Sequence, residues 1–192
     1  SFEEKDIECV CVQHEQAAAM AVEAYSRLGP GIGVAMATSG PGATNFITGL
    51  CGCWFDSIPA LFITGQVGTS ESCDAVKTKP RQVGFQETDI VSMVTSVTKF
   101  SAKVVDPKTI KYFLEKAVYM AKEGRSGPVL IDLPLDVQVA DINPSELIGF
   151  DPQKERDANT VTDSEEVIKK KIDEVVALIE KAERPVVLLA SG

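Results

Sequence analysis

The chain has 192 residues, 44% hydrophobic and 24% charged, with 19 Lys and Arg against 28 Asp and Glu for a formal charge of −9. Such a composition suits a soluble globular fold that buries one sizeable core and part of a second domain, and it excludes disordered and collagen-like chains. An acidic balance repels phosphate backbones over a Debye length of about 8 Å, and no concentrated basic face offsets it, so nucleic acid is not an expected partner. In chain order, residues 7–12 read as a strand. A helix over 14–28 follows, with Ala17, Ala18, Ala21, Ala24 and Tyr25 at helical spacing and Gly29-Pro30-Gly31 as its stop. A buried strand over 32–38 leads through Ser39-Gly40-Pro41-Gly42 into a helix over 43–55, and 60–64 is a third strand of continuous apolar character. This βαβαβ order argues for an α/β fold, a parallel sheet with helices on both faces.

The polar stretch 66–84, carrying Lys77, Lys79, Pro80 and Arg81, is longer than most connections inside a compact domain, and that length points to function or motion. A short helix over 87–93 and a strand over 98–104 come next. Asp106-Pro107 supplies an N-cap and a first-turn Pro for a helix to 123, and 127–134 is one more buried strand that Pro134 closes. From 135 to 161 the periodicity gives way to Asp, Asn, Pro and Gln. The expected division is therefore a first domain over 1–140, a linker over 141–162 and the beginning of a second domain over 163–192. In that last part Asp163 caps a helix to 182 with Val167, Ile168, Ile172, Val175, Val176 and Ile179 on its apolar stripe, and 184–192 opens a strand. One helix and one strand cannot bury their own faces, so the chain reads as cut short at its C-terminal side.

No apolar run approaches the ~18 to 20 residues of a membrane span, and Phe2-Glu3-Glu4-Lys5-Asp6 is too charged for a signal peptide. A cytoplasmic location without a membrane partner is expected. The five cysteines, Cys9, Cys11, Cys51, Cys53 and Cys73, include no C-x-x-C, and His14 is the single His, so buried reduced thiols are expected rather than a metal site.

Three places carry candidate chemistry. Glu15 lies in the first turn of a helix directly after a strand, at the strand end where α/β sheets bind ligands; its ordinary reading is an acid that favours the helix N-terminus by about 0.3 to 1 kcal/mol. His14 beside it has no Ser, Cys or Asp at a fixed offset and supports no triad. Thr38-Ser39-Gly40-Pro41-Gly42-Ala43-Thr44-Asn45 is a strand-to-helix turn whose glycines allow close backbone approach to a ligand, although it matches neither common phosphate loop; a tight structural turn is the competing reading. Phe85-Gln86-Glu87 ends the long loop and is placed to close over a site.

Taken together, His14-Glu15-Gln16-Ala17-Ala18-Ala19-Met20-Ala21, the turn over 38–45, Asp56-Ser57-Ile58-Pro59, Ile63-Thr64-Gly65-Gln66-Val67, Phe85-Gln86-Glu87 and Gly127-Pro128-Val129-Leu130-Ile131-Asp132-Leu133-Pro134 resemble the pyrimidine-binding domain of thiamine-diphosphate enzymes. The order and spacing are most similar to the acetolactate synthase large subunit, over roughly residues 7–140. The resemblance implies that Glu15 bonds the pyrimidine ring nitrogen and promotes the imino tautomer that deprotonates the thiazolium. It places Pro41 and Asn45 beside the pyrimidine or the substrate pocket, and Gln66, Phe85 and Gln86 near the reacting carbon, with Gln86 as a catalytic polar contact and Phe85 as an apolar wall. Burial against a cofactor ring raises a carboxyl pKa while the helix N-terminus lowers it, so for this role burial has to prevail at Glu15. The implied reaction is decarboxylation of pyruvate or a related 2-oxo acid to an enamine that adds to a second carbonyl compound.

Two departures qualify the resemblance. The helix and strand that family members place before residues 7–12 are absent, and no G-D-G followed by Asn occurs, which removes the diphosphate and Mg²⁺ site. In the family the centre forms between domains of two subunits, so the chain is expected to hold half a site, to be inactive alone and to act as a homo-oligomer, at least a dimer. FAD use is not legible, since its site would lie in the central domain. The loop over 68–84 is several residues longer than usual for acetolactate synthases; Lys77, Lys79 and Arg81 either face solvent or meet an anionic acceptor. A non-catalytic binding or regulatory module of the same fold, and a simple 2-oxo acid decarboxylase, are the alternatives.

Overall fold

The computed structural model describes residues 7–29, 31–78, 80–154 and 163–188. Pro30, Lys79, 155–162 in the expected linker and 189–192 in the expected final strand lie outside them. Four strands, β1 (Gly33–Ala37), β2 (Ala60–Gln66), β3 (Phe100–Lys103) and β4 (Pro128–Pro134), form one parallel sheet in the order β1-β2-β4-β3. Register aligns Ala35 with Phe62 and Leu130 in one row, and Thr64 with Asp132 and Lys103 in another. The fold is α/β, as expected. β2 and β4 read as continuous apolar runs because both of their faces are covered.

On one face, Ala35, Phe62 and Leu130 pack beneath α1 (Glu15–Leu28), α3 (Ile47–Phe55) and α4 (Ile90–Val94), whose Ala19, Val22, Leu50, Cys53, Ile90 and Val94 complete that core. Phe46 joins it with its ring 5.2 Å from that of Phe62, a tilted aromatic pair. On the other face, Leu61, Val129 and Ile131 pack with Val104 against Ala117 and Ala121 of α5 (Ile110–Lys122). Each fully buried Phe or Leu contributes about 1.5 to 3 kcal/mol, so these two layers hold the sheet that presents the site.

Helices α1 and α3 touch almost backbone to backbone: a Cβ at Gly49 would lie 2.4 Å from Ala19 Cβ. Gly49→Ala gains at most about 1 kcal/mol of helix propensity and meets an overpacking cost of about 1 to 3 kcal/mol. A lower melting temperature is therefore expected, with partial recovery when Ala19→Gly is added. An unchanged melt would show that α1 and α3 separate freely.

Several boundaries differ from the sequence reading. Residues 7–12 form no strand: they pair with nothing, and Val10 is 81% exposed. A strand exists only as part of a ladder, and β1 hydrogen-bonds to β2 alone. The helix expected over 43–55 is two, α2 (Pro41–Asn45) and α3, and the one expected from 87 begins after Asp89, whose side chain accepts from Ser92 N–H at 3.1 Å. Asp106 caps a 3₁₀ turn, Pro107–Thr109, that leads into α5. The stretch from 135, where no periodicity was expected, starts with α6 (Leu135–Gln138), and the first compact unit extends past the expected boundary at 140 to Phe150. Phe150 stays with it because its ring lies 5.7 and 5.3 Å from those of Tyr112 and Tyr119 and its N–H donates to Glu115 Oε2 at 2.7 Å.

The second unit holds α7 (Glu165–Lys181), capped by Ser164 rather than Asp163, whose carboxylate pairs instead with Lys171 at 2.5 Å. Val167, Ile168, Ile172, Val175, Val176 and Ile179 are exposed along it, and 184–188 form no strand. The cysteines are free, but the expected burial holds only for Cys53, whose thiol burial pushes up to about 12. Cys9 and Cys11 are exposed because the segment that carries them pairs with no strand.

Candidate functional site

Glu15 opens α1 because His14 caps it: the His14 backbone is extended (φ −140°, ψ 132°) and its Nδ1 accepts from Gln16 N–H at 3.1 Å. That cap is the role sequence reasoning left open for His14. The Glu15 carboxylate is half-buried, and its Oε2 accepts from Asn45 Nδ2 at 2.9 Å, across 30 residues of sequence. The Asn45 hydrogen bond, with the Glu15 amide, holds this carboxyl below its ordinary value against the opposing effect of burial. Burial therefore does not prevail at Glu15 in this structure.

The turn after β1 packs closely against its neighbours because two positions lack side chains. A Cβ at Gly42 would meet Thr38 Cγ2 at 2.8 Å and Glu15 Oε1 at 3.4 Å. Gly40 has φ 61°, and a Cβ there would lie 2.6 Å from the Gln86 carbonyl oxygen. The turn thus brings Glu15, Pro41, Asn45 and the backbone of Gln86 to one end of the sheet. Pro41 is exposed, Phe85 is 82% exposed, and Gln86 is exposed with φ 56°.

Gln66 sits apart from solvent. Its Nε2 donates to Thr88 O at 2.7 Å and to Asp132 Oδ2 at 3.1 Å, while its Oε1 accepts from Val67 N–H at 3.0 Å. Asp132 also accepts from Thr64 Oγ1 at 2.6 Å; its carboxyl is buried, and burial raises its pKa. Sequence reasoning missed this buried polar chain, although one acid inside the apolar run of β4 was a readable signal. It also missed the part Glu87 plays inside the Phe85-Gln86-Glu87 motif. Burial raises the Glu87 carboxyl, but N–H donors from Cys73, Val83 and Gly84 prevail and hold it below its usual value. Lys77 and Arg81 of the long loop are exposed.

Residues 1–93 match the family described as "Thiamine pyrophosphate enzyme, N-terminal TPP binding domain". The chain belongs to the thiamine pyrophosphate enzyme family. It is 37% identical over 188 residues to acetolactate synthase of Arthrospira platensis, covering 97% of this chain and 30% of that protein. It is 44% identical over 138 residues to the acetolactate synthase large subunit of Porphyra purpurea, covering 71% and 22%. The large subunit from Corynebacterium glutamicum is 36% identical over 189 residues, covering 95% and 27%. The chain thus spans less than a third of the length of these relatives.

The residues present fit the pyrimidine part of a thiamine pyrophosphate enzyme's cofactor. Glu15, whose carboxyl a covering cofactor ring would bury further and so raise against the Asn45 hydrogen bond, stands beside a closely packed glycine turn at the carboxyl ends of parallel strands. Among the described residues no group of three His, Cys, Asp or Glu is placed to hold a metal ion, so no step involving Mg²⁺ is assigned to them. No described helix is long and apolar enough to cross a membrane.

Proposed function

We propose that this chain is the pyrimidine-binding part of an acetolactate-synthase-like enzyme that decarboxylates pyruvate or a related 2-oxo acid and joins the remaining unit to a second carbonyl compound. The observation that carries this reading is the Glu15–Asn45 pair beside the Gly40–Gly42 turn. When bound, thiamine diphosphate supplies the nucleophilic carbon and the electron sink for decarboxylation. The chain's own part is binding, orientation and proton exchange. Glu15 shares a proton with the pyrimidine nitrogen, Asn45 fixes the orientation of Glu15 Oε2, and Pro41 borders the ring. Gln86 offers a polar contact to the reacting substrate and exposed Phe85 supplies an apolar wall that excludes water. Gln66, with every amide atom committed inside the fold, supports the pocket by holding Thr88.

Diphosphate and Mg²⁺ are assigned to residues other than those described, and the working enzyme to a homo-oligomer, at least a dimer, that shares the site between subunits. Five free cysteines suit a reducing compartment, and the cytoplasm is the location proposed. Isothermal titration of the chain with thiamine diphosphate and Mg²⁺ is expected to show weak binding and no turnover. The complete gene product carrying this sequence is expected to release CO₂ from pyruvate. Tight one-to-one binding by the chain alone would place the diphosphate site within it, and a complete product that turns over no 2-oxo acid would end the enzymatic reading.

A further inference from the structure

We propose that Glu87 is a positioning residue that locks the end of the long loop and thereby fixes Gln86 over the Gly40–Gly42 turn. The proposal rests on the reading of Gln86 as a substrate contact. Gln86 is in the left-handed region at φ 56°, which a non-glycine residue keeps only where its surroundings over-determine it. Three features fix it here. Gly40 leaves no room for movement towards the sheet, since the Gln86 carbonyl oxygen occupies the space a Cβ at 40 would need. On its C-terminal side, Thr88 O accepts from Gln66 Nε2, and Gln66 is itself anchored on Asp132 of β4.

On its N-terminal side the lock is Glu87. Its Oε1 accepts from Cys73 N–H at 2.6 Å, and its Oε2 accepts from Val83 N–H at 2.9 Å, Gly84 N–H at 3.4 Å and Cys73 Sγ–H at 3.1 Å. Glu87 N–H donates in turn to Gly84 O at 3.2 Å, closing a ring of backbone and side chain around Phe85 and Gln86. Gly84 is wedged so closely that a Cβ would lie 2.7 Å from Val67 Cγ1 and 2.9 Å from Glu71 O, so the loop cannot shift as a whole. Only an acceptor-only group satisfies four donors at once: an amide in place of the carboxylate turns its own NH₂ towards N–H and S–H groups. The long loop thus holds in place the residue that offers the polar contact to substrate.

The test compares Glu87→Gln, Gln86→Ala and the double variant. In the chain, Glu87→Gln is expected to speed amide hydrogen exchange at Cys73, Val83 and Gly84 by tenfold or more, with Phe62 and Ile131 of the sheet unchanged. In the complete gene product it is expected to lower kcat for the 2-oxo acid by tenfold or more with KM within about threefold. In the double variant it is expected to cost no more than about twofold beyond Gln86→Ala, because the lock has nothing left to position. A merely structural role gives additive losses and overturns the proposal, as does unchanged exchange at the three amides. Wild-type turnover in Gln86→Ala overturns the assignment of Gln86 itself. Lost turnover in Gln86→Ala beside wild-type exchange and turnover in Glu87→Gln overturns the lock alone. If Glu87→Gln does not fold, Glu87→Asp, which keeps the charge but shortens the reach, is expected to lower kcat by threefold or more, and wild-type kcat overturns the proposal.

Discussion

Replacing Glu15 with Gln is expected to slow thiazolium C2 proton exchange and pyruvate turnover in the complete gene product by about 10² to 10⁴-fold, which corresponds to roughly 3 to 5 kcal/mol of barrier. The substitution keeps the size of the side chain and an oxygen able to accept from Asn45 Nδ2, the bond that orients Glu15. It removes the exchangeable proton that the proposed role requires at the pyrimidine nitrogen. Stability should change far less, since an acid in the first turn of a helix contributes about 0.3 to 1 kcal/mol. The pH dependence follows from the depressed carboxyl: a folded-state pKa below the unfolded value gives stability that is present above the unfolded value and is lost as pH falls through the folded one. Glu15→Gln should therefore match wild type in melts under acid conditions and fall slightly below it near neutrality. Exchange and turnover within about threefold of wild type would sink the proposed role of Glu15.

What the sequence disclosed divides along the range of the interactions concerned. β2 and β4 were legible because burial on both faces writes itself as an unbroken apolar run, and Asp106-Pro107 marked the start of the α5 region because capping is local. Residues 7–12 carry a similar apolar run, broken only by Glu8, and form no strand, because a strand is decided by its neighbour and composition says nothing of pairing. Cys9 and Cys11 share that fate: burial expected of their residue type fails where nothing packs on the segment.

The site shows the same division. The positions of Glu15 and the glycine turn were readable from spacing, yet the Asn45 bond spans 30 residues and decides the direction in which the Glu15 pKa moves. Residues of the long loop have no periodicity to read. That Cys73, Val83 and Gly84 all point their N–H groups at one carboxylate is set by how the loop doubles back, and no local pattern announces it.

Asp132→Ala is expected to be the most destabilising polar substitution in the described core, by about 2 to 5 kcal/mol, or about 2 to 4 °C of melting temperature for each kcal/mol. Asp132 is 1% exposed, and it accepts from Thr64 Oγ1 and Gln66 Nε2. Ala leaves the Thr64 hydroxyl without this acceptor, removes one of two from Gln66 and opens a hole in the middle of the sheet. Opposing this is the cost of the charge itself, since burial raises the Asp132 pKa while Lys103, its cross-strand neighbour, offsets part of the shift. Asp132→Asn separates the two effects, because it keeps the shape, relieves the charge and lets the Thr64 hydroxyl turn to accept from the new amide. It is expected within about 1 kcal/mol of wild type at neutral pH. A carboxyl whose folded pKa is raised binds its proton more tightly in the folded state, so wild type should gain on Asp132→Asn as pH falls through the folded pKa towards the unfolded value. Thermal melts of the three proteins between pH 4 and about pH 8 read both effects, on the scale at which one pKa unit is about 1.4 kcal/mol. Because Gln66 reaches from Asp132 to Thr88, the Ala variant should also loosen the loop that carries Gln86, seen as faster amide exchange there. A melt of Asp132→Ala within about 1 °C of wild type would show that Thr64 and Gln66 find other partners and that the buried chain does not hold the loop.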